Sequence, residues 1–487
     1  MFGAYVFEKS CAQYADKILL LDDNELYKRV NYYSEFSAHG FQIIMYADDL
    51  SFRIYHEEAL KSNRKKMAVI ARSNQYIPYD IYSHMQVFSV SMDNLFPKIH
   101  PEILENKTAA DLDLLSAVYR TNFDDLRKRP DAERYWRMAV CSQNNVNSYL
   151  HRKLSDLLEY SVRITNYEGW FLIAEEKAKL DVMAAQYAIE LDTTELNIRF
   201  QEFALKHFGE LSQIVNKNSP VIVSKVMEYV NSYSDKFCLI VMDGMSEFDW
   251  QIISESFFDI SYEKTSIFAM IPSTTSISRQ CLLSGKYPVQ LIQPWKQDNE
   301  KTEFLECAKH LGFQDMQIAY GRNYDIQFSK FVRCGSVIIN DVDELVHGQM
   351  QGRRGMYNDI NVLTQQGELL NLVERLLVDG YDVYITSDHG NTPCKGMGRL
   401  VGAGVELETK SRRMLVLKEY ANSINLKDKY DLIEYPKYYL PKEYEYLICN
   451  VGDSFDIKDE TVMTHGGITL DEVVVPFIKI KAVQKNG

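Results

Sequence analysis

No apolar run in the 487-residue chain approaches the roughly 20 residues that a membrane-spanning helix needs. The opening "MFGAYVFEKSCAQYADK" also lacks the basic start, apolar stretch and small-residue cleavage site of a secretory signal. A cytoplasmic protein with no membrane partner is therefore expected. Eight cysteines are scattered along the chain with no Cys-x-x-Cys pair, which excludes a disulfide framework and leaves reduced, mostly buried thiols. Positive charge is in short supply: 54 lysines and arginines face 68 acidic residues, a formal charge of −14 that opposes broad attraction to DNA or RNA. An anionic substrate can then bind only where metal ions reverse the local sign. No stretch repeats at a fixed short period, and none is low in complexity, so solenoids and disordered tracts are excluded as well.

What the chain does have is length, enough for roughly two to four hydrophobic cores. Residues 1–94 read as a small α/β domain with a mainly parallel sheet, because "KILLLDD", "GFQIIMYADD", "KKMAVIAR" and "MQVFSV" are short aliphatic runs closing on polar turns. Two of them end in acid pairs, Asp22-Asp23 and Asp48-Asp49. Such pairs can hold magnesium in phosphorelay receivers, but no further strand-end Asp and no well-placed Lys completes that pocket, so they read as turn residues. Residues 95–218 read as a helical module, a partner surface or spacer. There Thr108 and Asp111 form an N-capping pattern ahead of Leu112, Leu115 and Val118. Residues 219–487 return to α/β alternation, with a long amphipathic helix expected near Asn358–Val378.

The last region carries the chemistry. In an open parallel sheet, ligands gather at the carboxyl ends of the strands. "KFCLIVMDG" closes on Asp243, "SVIIN" is followed by Asp343 and His347 at a spacing that shares one helix face, "VYITSDHG" ends in Asp388-His389, and His465 precedes the final strand. Singly, each is a common turn or helix feature. Jointly, they form a set of carboxylates and imidazoles without thiolates, suited to zinc or manganese, with magnesium at the more carboxylate-rich position. Two such ions about 4 Å apart clamp the attacking and leaving oxygens of a phosphoryl displacement. The hydroxyl-rich "IPSTTSISRQCLLSGKYP", a helix start that caps itself and ends at Gly285, offers seven candidate hydroxyls for a nucleophile.

These blocks resemble the alkaline phosphatase superfamily, and within it the PglZ family. "IPSTTSISRQCLLSGKYP", "INDVDELVHGQ", "TSDHG" and "THGGITLDEVVVPF" look like successive blocks of a PglZ domain over roughly Ser219–Lys481. The resemblance implies that Asp243, Thr275, Asp388 and His389 hold one divalent ion and that Asp343, His347 and His465 hold the other. It also selects Thr275 as the nucleophile, from the fit to a Pro-Thr-x-Thr pattern, with Ser273 in place of the first Thr, followed by a helix and Gly-x-Tyr-Pro. The fold it implies is an alkaline-phosphatase-like α/β domain with a mainly parallel sheet flanked by helices, preceded by the small α/β domain and the helical module.

The activity it implies is zinc-dependent hydrolysis of phosphodiesters in nucleotides or nucleic acids, in bacterial phage defence of the BREX type. Arg279, Lys395 and Arg399 are expected to grip substrate, with Arg353 and Arg354 as further candidates in the basic, Gly-rich segments. Defence-system proteins are expected on the helical module, and self-association stays open. A phosphomonoesterase of the same superfamily and a non-catalytic metal-binding scaffold are the competing readings. A sulfatase is disfavoured, because the nucleophile position is Thr275 rather than the Cys from which sulfatases form theirs.

Overall fold

Apolar β-branched and aliphatic runs become inner strands when both of their faces can be covered. The computed structural model describes residues 2–62, 65–119, 125–398, 411–418 and 426–482, and the chain forms two compact units, Met1–Arg152 and Lys153–Gly487. In the first, β1 (Lys17–Leu21), β2 (Phe41–Met45), β3 (Lys66–Ala71) and β4 (Gln86–Ser89) pair in the order β2-β3-β1-β4, all parallel. Ile18, Leu19 and Leu20 of β1 and Met67, Ala68 and Val69 of β3 are fully buried, as inner strands require. The helix Ala109–Tyr119 starts on the reciprocal pair Thr108 and Asp111.

The helical stretch expected over 95–218 is divided between the units. The helix Gln143–Val162 crosses the division, while Tyr167–Gln186 and Thr194–His207 lie in the second unit. Phe171, Phe200 and Phe203 from these two helices pack on Phe268, with ring centroids 4.8, 6.3 and 6.3 Å away. Aromatic pairs of this kind contribute about 0.5–1.5 kcal/mol each beyond their burial.

The second unit contains β5 (Phe237–Met242), β6 (Glu263–Phe268), β7 (Ile318–Arg322), β8 (Cys334–Ile339), β9 (Asp382–Thr386), β10 (Thr392–Gly396), β11 (Met414–Leu417), β12 (Ile433–Glu434), β13 (Glu445–Ile448), β14 (Asp453–Ser454), β15 (Thr461–Thr464) and β16 (Val474–Ile480). Six of them form the main sheet in the order β6-β16-β9-β5-β8-β7. Its central pairs, β9-β5, β5-β8 and β8-β7, are parallel, and β16 runs antiparallel to β9 and β6. Two smaller sheets, β14-β10-β15 and β11-β13-β12, complete the unit.

Local structure departs from the sequence expectation at three places. The single helix expected near Asn358–Val378 is two, Gly352–Gln366 and Glu368–Val378, broken at Gly367, whose φ of +72° suits a residue without a Cβ. The basic, Gly-rich segments are regular structure: "GRRGMYND", with Arg353 and Arg354, starts a helix, and "TPCKG", with Lys395, is strand β10. The helix Thr275–Ser284 is buried on every side from Ser276 to Ser284, including Arg279, which is expected to grip substrate.

Candidate metal centre

Because β9, β5 and β8 are adjacent and parallel, their carboxyl ends lie together at one edge of the sheet. Asp243 follows β5 directly, and its N–H donates to Ile339 O, extending the ladder to β8 (2.8 Å). Gly244 turns the chain with φ +75°, and a Cβ there would lie 3.2 Å from Asp343 Cβ, so glycine lets this turn and Asp343 approach each other. Asp343 and His347 sit one turn apart on the helix Asp341–Gly348 after β8, with Oδ2 and Nε2 3.3 Å apart. Asp388 and His389 follow β9. β15 pairs antiparallel with β10, placing Thr464 opposite Thr392, and this register returns His465 to the same edge. The His389 and His465 rings stack with centroids 4.0 Å apart.

The sequence-expected residues thus form two groups. Among the described residues, Asp343, His347 and His465 make one potential ion site and Asp243, Asp388 and His389 make another, with the ligand atoms of each group within 4.8 Å of one another. Thr275 stands at the N-terminus of its helix with Oγ1 3.0 Å from His389 Nε2, on the second group's side. Two hydroxyls fasten this arrangement from below: Ser273 donates to Gly467 O and accepts from Gly466 N (both 3.0 Å), while Ser278 accepts from Met270 N and donates to Asp388 O.

The donor set fits divalent cations. His389 Nδ1 faces the carbonyl of Gly390 and His465 Nδ1 that of Ser273, each at 3.0 Å. A carbonyl only accepts, so both Nδ1 atoms carry the hydrogen and both Nε2 atoms present a lone pair. His389 Nε2 then confronts Asp243 Oδ1 at 3.6 Å, and His465 Nε2 confronts Asp343 Oδ1 at 3.4 Å. Acceptor faces acceptor, an arrangement that a cation resolves. The same two oxygens and Asp388 Oδ2 are buried without a hydrogen-bond partner, a costly state for a carboxylate. Burial, reinforced by mutual repulsion, pushes Asp243 up to about 7, and burial pushes Asp388 up to about 6. Burial also pushes His465 down to about 4, which keeps its ring neutral near pH 7. Nearby positive charge would return both carboxylates to their ionised form.

The residues expected to grip substrate are placed differently. Arg279 is 1 % exposed: Nη1 donates to Asp243 Oδ2 and Nε to Glu300 Oε2 (2.7 Å), and Nη1 lies 3.9 Å from Asp388 Oδ2. It sits against Asp243 and Asp388 as a counter-charge, not open to an arriving phosphate, because a helix buried on all sides turns this position inward. Lys395 is exposed on β10 and pairs with Asp459 at 3.0 Å. Arg399 lies outside the described residues, and Arg354 is exposed. Arg353 lies over the Phe248 ring and reaches Asp471 (3.2 Å) and Asn391 (3.3 Å). Asn391 and Asp249 were not singled out by the sequence reading. Their signal is position, two residues beyond His389 and three beyond the Ser246 helix cap.

Residues 221–480 match the family described as the BREX system PglZ alkaline phosphatase-like domain. Among solved structures, murine ectonucleotide pyrophosphatase/phosphodiesterase 5 is similar over 50 % of this chain and 88 % of that one, at 12 % identity and a TM-score of 0.37. The human counterpart is similar over 50 % and 87 %, at 14 % identity and 0.37. Phosphonoacetate hydrolase from Sinorhizobium meliloti 1021 in complex with phosphonoformate is similar over 52 % and 92 %, at 12 % identity and 0.35. No curated protein matches the chain. The family match spans more than half of the residues, and the chain belongs to the PglZ family, with its alkaline-phosphatase-like α/β fold.

Proposed function

We propose that this chain hydrolyses phosphodiesters of nucleotides or nucleic acids, with Thr275 as nucleophile and two divalent ions, zinc above all, held by the seven residues Asp243, Thr275, Asp343, His347, Asp388, His389 and His465. The observation that carries the reading is the placement of Thr275 Oγ1, half-buried at a helix N-terminus and 3.0 Å from His389 Nε2, beside two carboxylate-imidazole groups whose facing oxygens have no hydrogen-bond partner. Bound divalent ions would supply Lewis acidity, lowering the proton affinity of the threonine oxygen and stabilising charge on the leaving oxygen.

The chain's own residues do the rest. His389 Nε2 has one lone pair, which a bound ion would take, so Thr275 Oγ1, 3.0 Å from that nitrogen, would share the ion through its own lone pair and not hydrogen-bond the ring. The N-terminus of the Thr275–Ser284 helix favours the phosphate charge there. Attack of Oγ1 on phosphorus forms a threonyl phosphate ester as the bond to the leaving oxygen breaks; the hydroxyl proton passes to water and the leaving oxygen takes one from water, and a second water then cleaves the ester to regenerate the hydroxyl. Arg279 offsets charge on Asp243 and Asp388 and leaves Asp243 Oδ1 free to ligate.

The BREX description of the family supports a place in phage defence. No described helix is long and apolar enough to cross a membrane, and all eight cysteines are free; the free thiols support the cytoplasmic assignment. Because Tyr167–Gln186 and Thr194–His207 pack within the second unit, contacts to defence proteins are proposed for the helical residues before 153. The reading is tested by comparing turnover of bis- and mono-p-nitrophenyl phosphate by metal-loaded wild type and Thr275→Ala. A preference for the diester, lost by about 1,000-fold or more in the variant while bound metal is retained, is the expected outcome. Full diesterase activity in folded Thr275→Ala sinks the nucleophile assignment.

A further inference from the structure

Asn391 is fully buried, and both polar atoms of its side chain are hydrogen-bonded, Nδ2 toward the turn that follows Asp243 and Oδ1 toward Arg353. Its Nδ2 donates to Gly244 O (2.9 Å), next to Asp243, and to Asp249 Oδ2 (2.6 Å), in the capping box of the helix that follows. Asn391 itself lies two residues beyond His389, so these bonds fasten the β9 turn to the β5 turn. On its other side Arg353 grips it twice, Nη1 to Oδ1 and Nη2 to the backbone carbonyl, both at 3.3 Å. Arg353 is paired with Asp471 (3.2 Å), which also accepts from Lys177 Nζ (2.8 and 3.0 Å) and Asn197 Nδ2 (3.1 Å). Lys177 is 1 % exposed and completes its shell with Asp181 at 2.6 Å. The chain of contacts therefore begins on the helix Tyr167–Gln186, outside the 221–480 segment that matches the family, and ends at the carbonyl beside Asp243.

We propose that Asn391 is the positioning residue of the metal centre: held by Arg353, Asp471 and Lys177, it sets the separation between Asp243 and the Asp388-His389 pair. The inference rests on the metal-dependent reading above. Its physical basis is that ligands on two separate turns bind an ion tightly only when their spacing is fixed before the ion arrives, and groups behind the ligands do that fixing. The buried Lys177–Asp471–Arg353 cluster suits the task because breaking it would strand buried charge, so it resists deformation.

The test is divalent-ion affinity of the full chain, stripped of metal and titrated with zinc against a chromophoric chelator, with the unfolding temperature of the stripped protein read in parallel. Asn391→Ala is expected to weaken zinc binding by about 10- to 100-fold in a stripped protein that still folds, at a lowered unfolding temperature because Gly244 O and Asp249 lose a buried partner. Arg353→Lys retains the pair with Asp471 but cannot fork onto Asn391, and is expected to show a smaller loss in the same direction. Wild-type affinity in folded Asn391→Ala overturns the proposal. If that variant does not fold, Arg353→Lys decides, and unchanged affinity there overturns it equally. A wild-type chain that binds no zinc overturns the metal reading itself, and this inference with it.

Discussion

In the first unit, Asp22 follows β1 and Asp48 comes three residues after β2, much as Asp243 follows β5 and Asp388 comes two residues after β9 in the second. The local sequence grammar is the same, an aliphatic run and then an aspartate, but the carboxylates meet different surroundings. Asp22 accepts from the N–H groups of Leu26 (2.8 Å) and Tyr27 (2.9 Å) and from the Tyr32 hydroxyl (3.0 Å). Asp48 accepts from Ser51 N and Oγ (both 2.8 Å) at the start of the helix Asp49–Lys61, Asp23 from Ser73 N and Oγ, and Asp49 from Arg53. Every one of these acids holds protein donors, so none calls for an ion. In the second unit, Asp243 Oδ1, Asp343 Oδ1 and Asp388 Oδ2 are buried without a hydrogen-bond partner. A strand-end acid is a capping group when the backbone nearby turns its amides toward it. It is a candidate ligand when other acceptors surround it.

Three measurements can break or sharpen that contrast. The largest effect is expected from Asp388→Ala, which removes an oxygen without a hydrogen-bond partner from the Asp243 group. Bound zinc should fall from two equivalents to one, and diesterase turnover should fall by about 100-fold or more. Two retained equivalents would place the ions elsewhere.

A smaller effect is a pH signature in the metal-free chain. Asp243 sits at about 7 when folded against an ordinary value of 3.8, so the folded chain binds this proton more tightly than the unfolded one. Its contribution therefore favours folding fully below about pH 4 and is lost as pH rises through about 7; Asp388 acts in the same direction up to about 6. In chelator, Asp243→Asn should gain stability relative to wild type as pH is raised from about 5 to 8, and that trend should disappear with zinc bound. A pH-independent difference would contradict the burial described for this carboxylate.

The smallest effect belongs to Asp48→Ala. It should lower the unfolding temperature by no more than a few degrees through loss of the helix cap, and should leave zinc stoichiometry unchanged. A loss of zinc in this variant would erase the distinction between the two sets of acids.

Much of the fold was legible because its signals are local. Inner strands announce themselves as continuous apolar runs, as in "CLIVM" and "VYIT", and the Thr108-Asp111 box is written in four consecutive residues. The positions of the two carboxylate-imidazole groups were legible for the same reason, since strand ends, a four-residue helical spacing and a His-Gly-Gly turn are short-range features. Arg279 was misread because its spacing from Thr275 is visible in the sequence, whereas the burial of its helix and its pairing with Asp243 and Glu300 depend on distant elements. The break at Gly367 was missed because a glycine at a positive φ and one inside a regular helix look the same in a list of residues. Lys177 carried no signal, as its partner Asp471 lies 294 residues away.

The sequence by itself determined which donors this protein owns, oxygens and imidazoles without paired thiolates, and that they stand at the ends of buried strands. Only the tertiary structure decided which of them are satisfied and which are not. A hydrogen bond to a neighbouring amide is settled within a few residues, but the parallel register of β9, β5 and β8 and the β10-β15 pairing bring together acceptors from opposite ends of the unit. Whether an aspartate caps a helix or faces another lone pair is fixed by that long-range geometry.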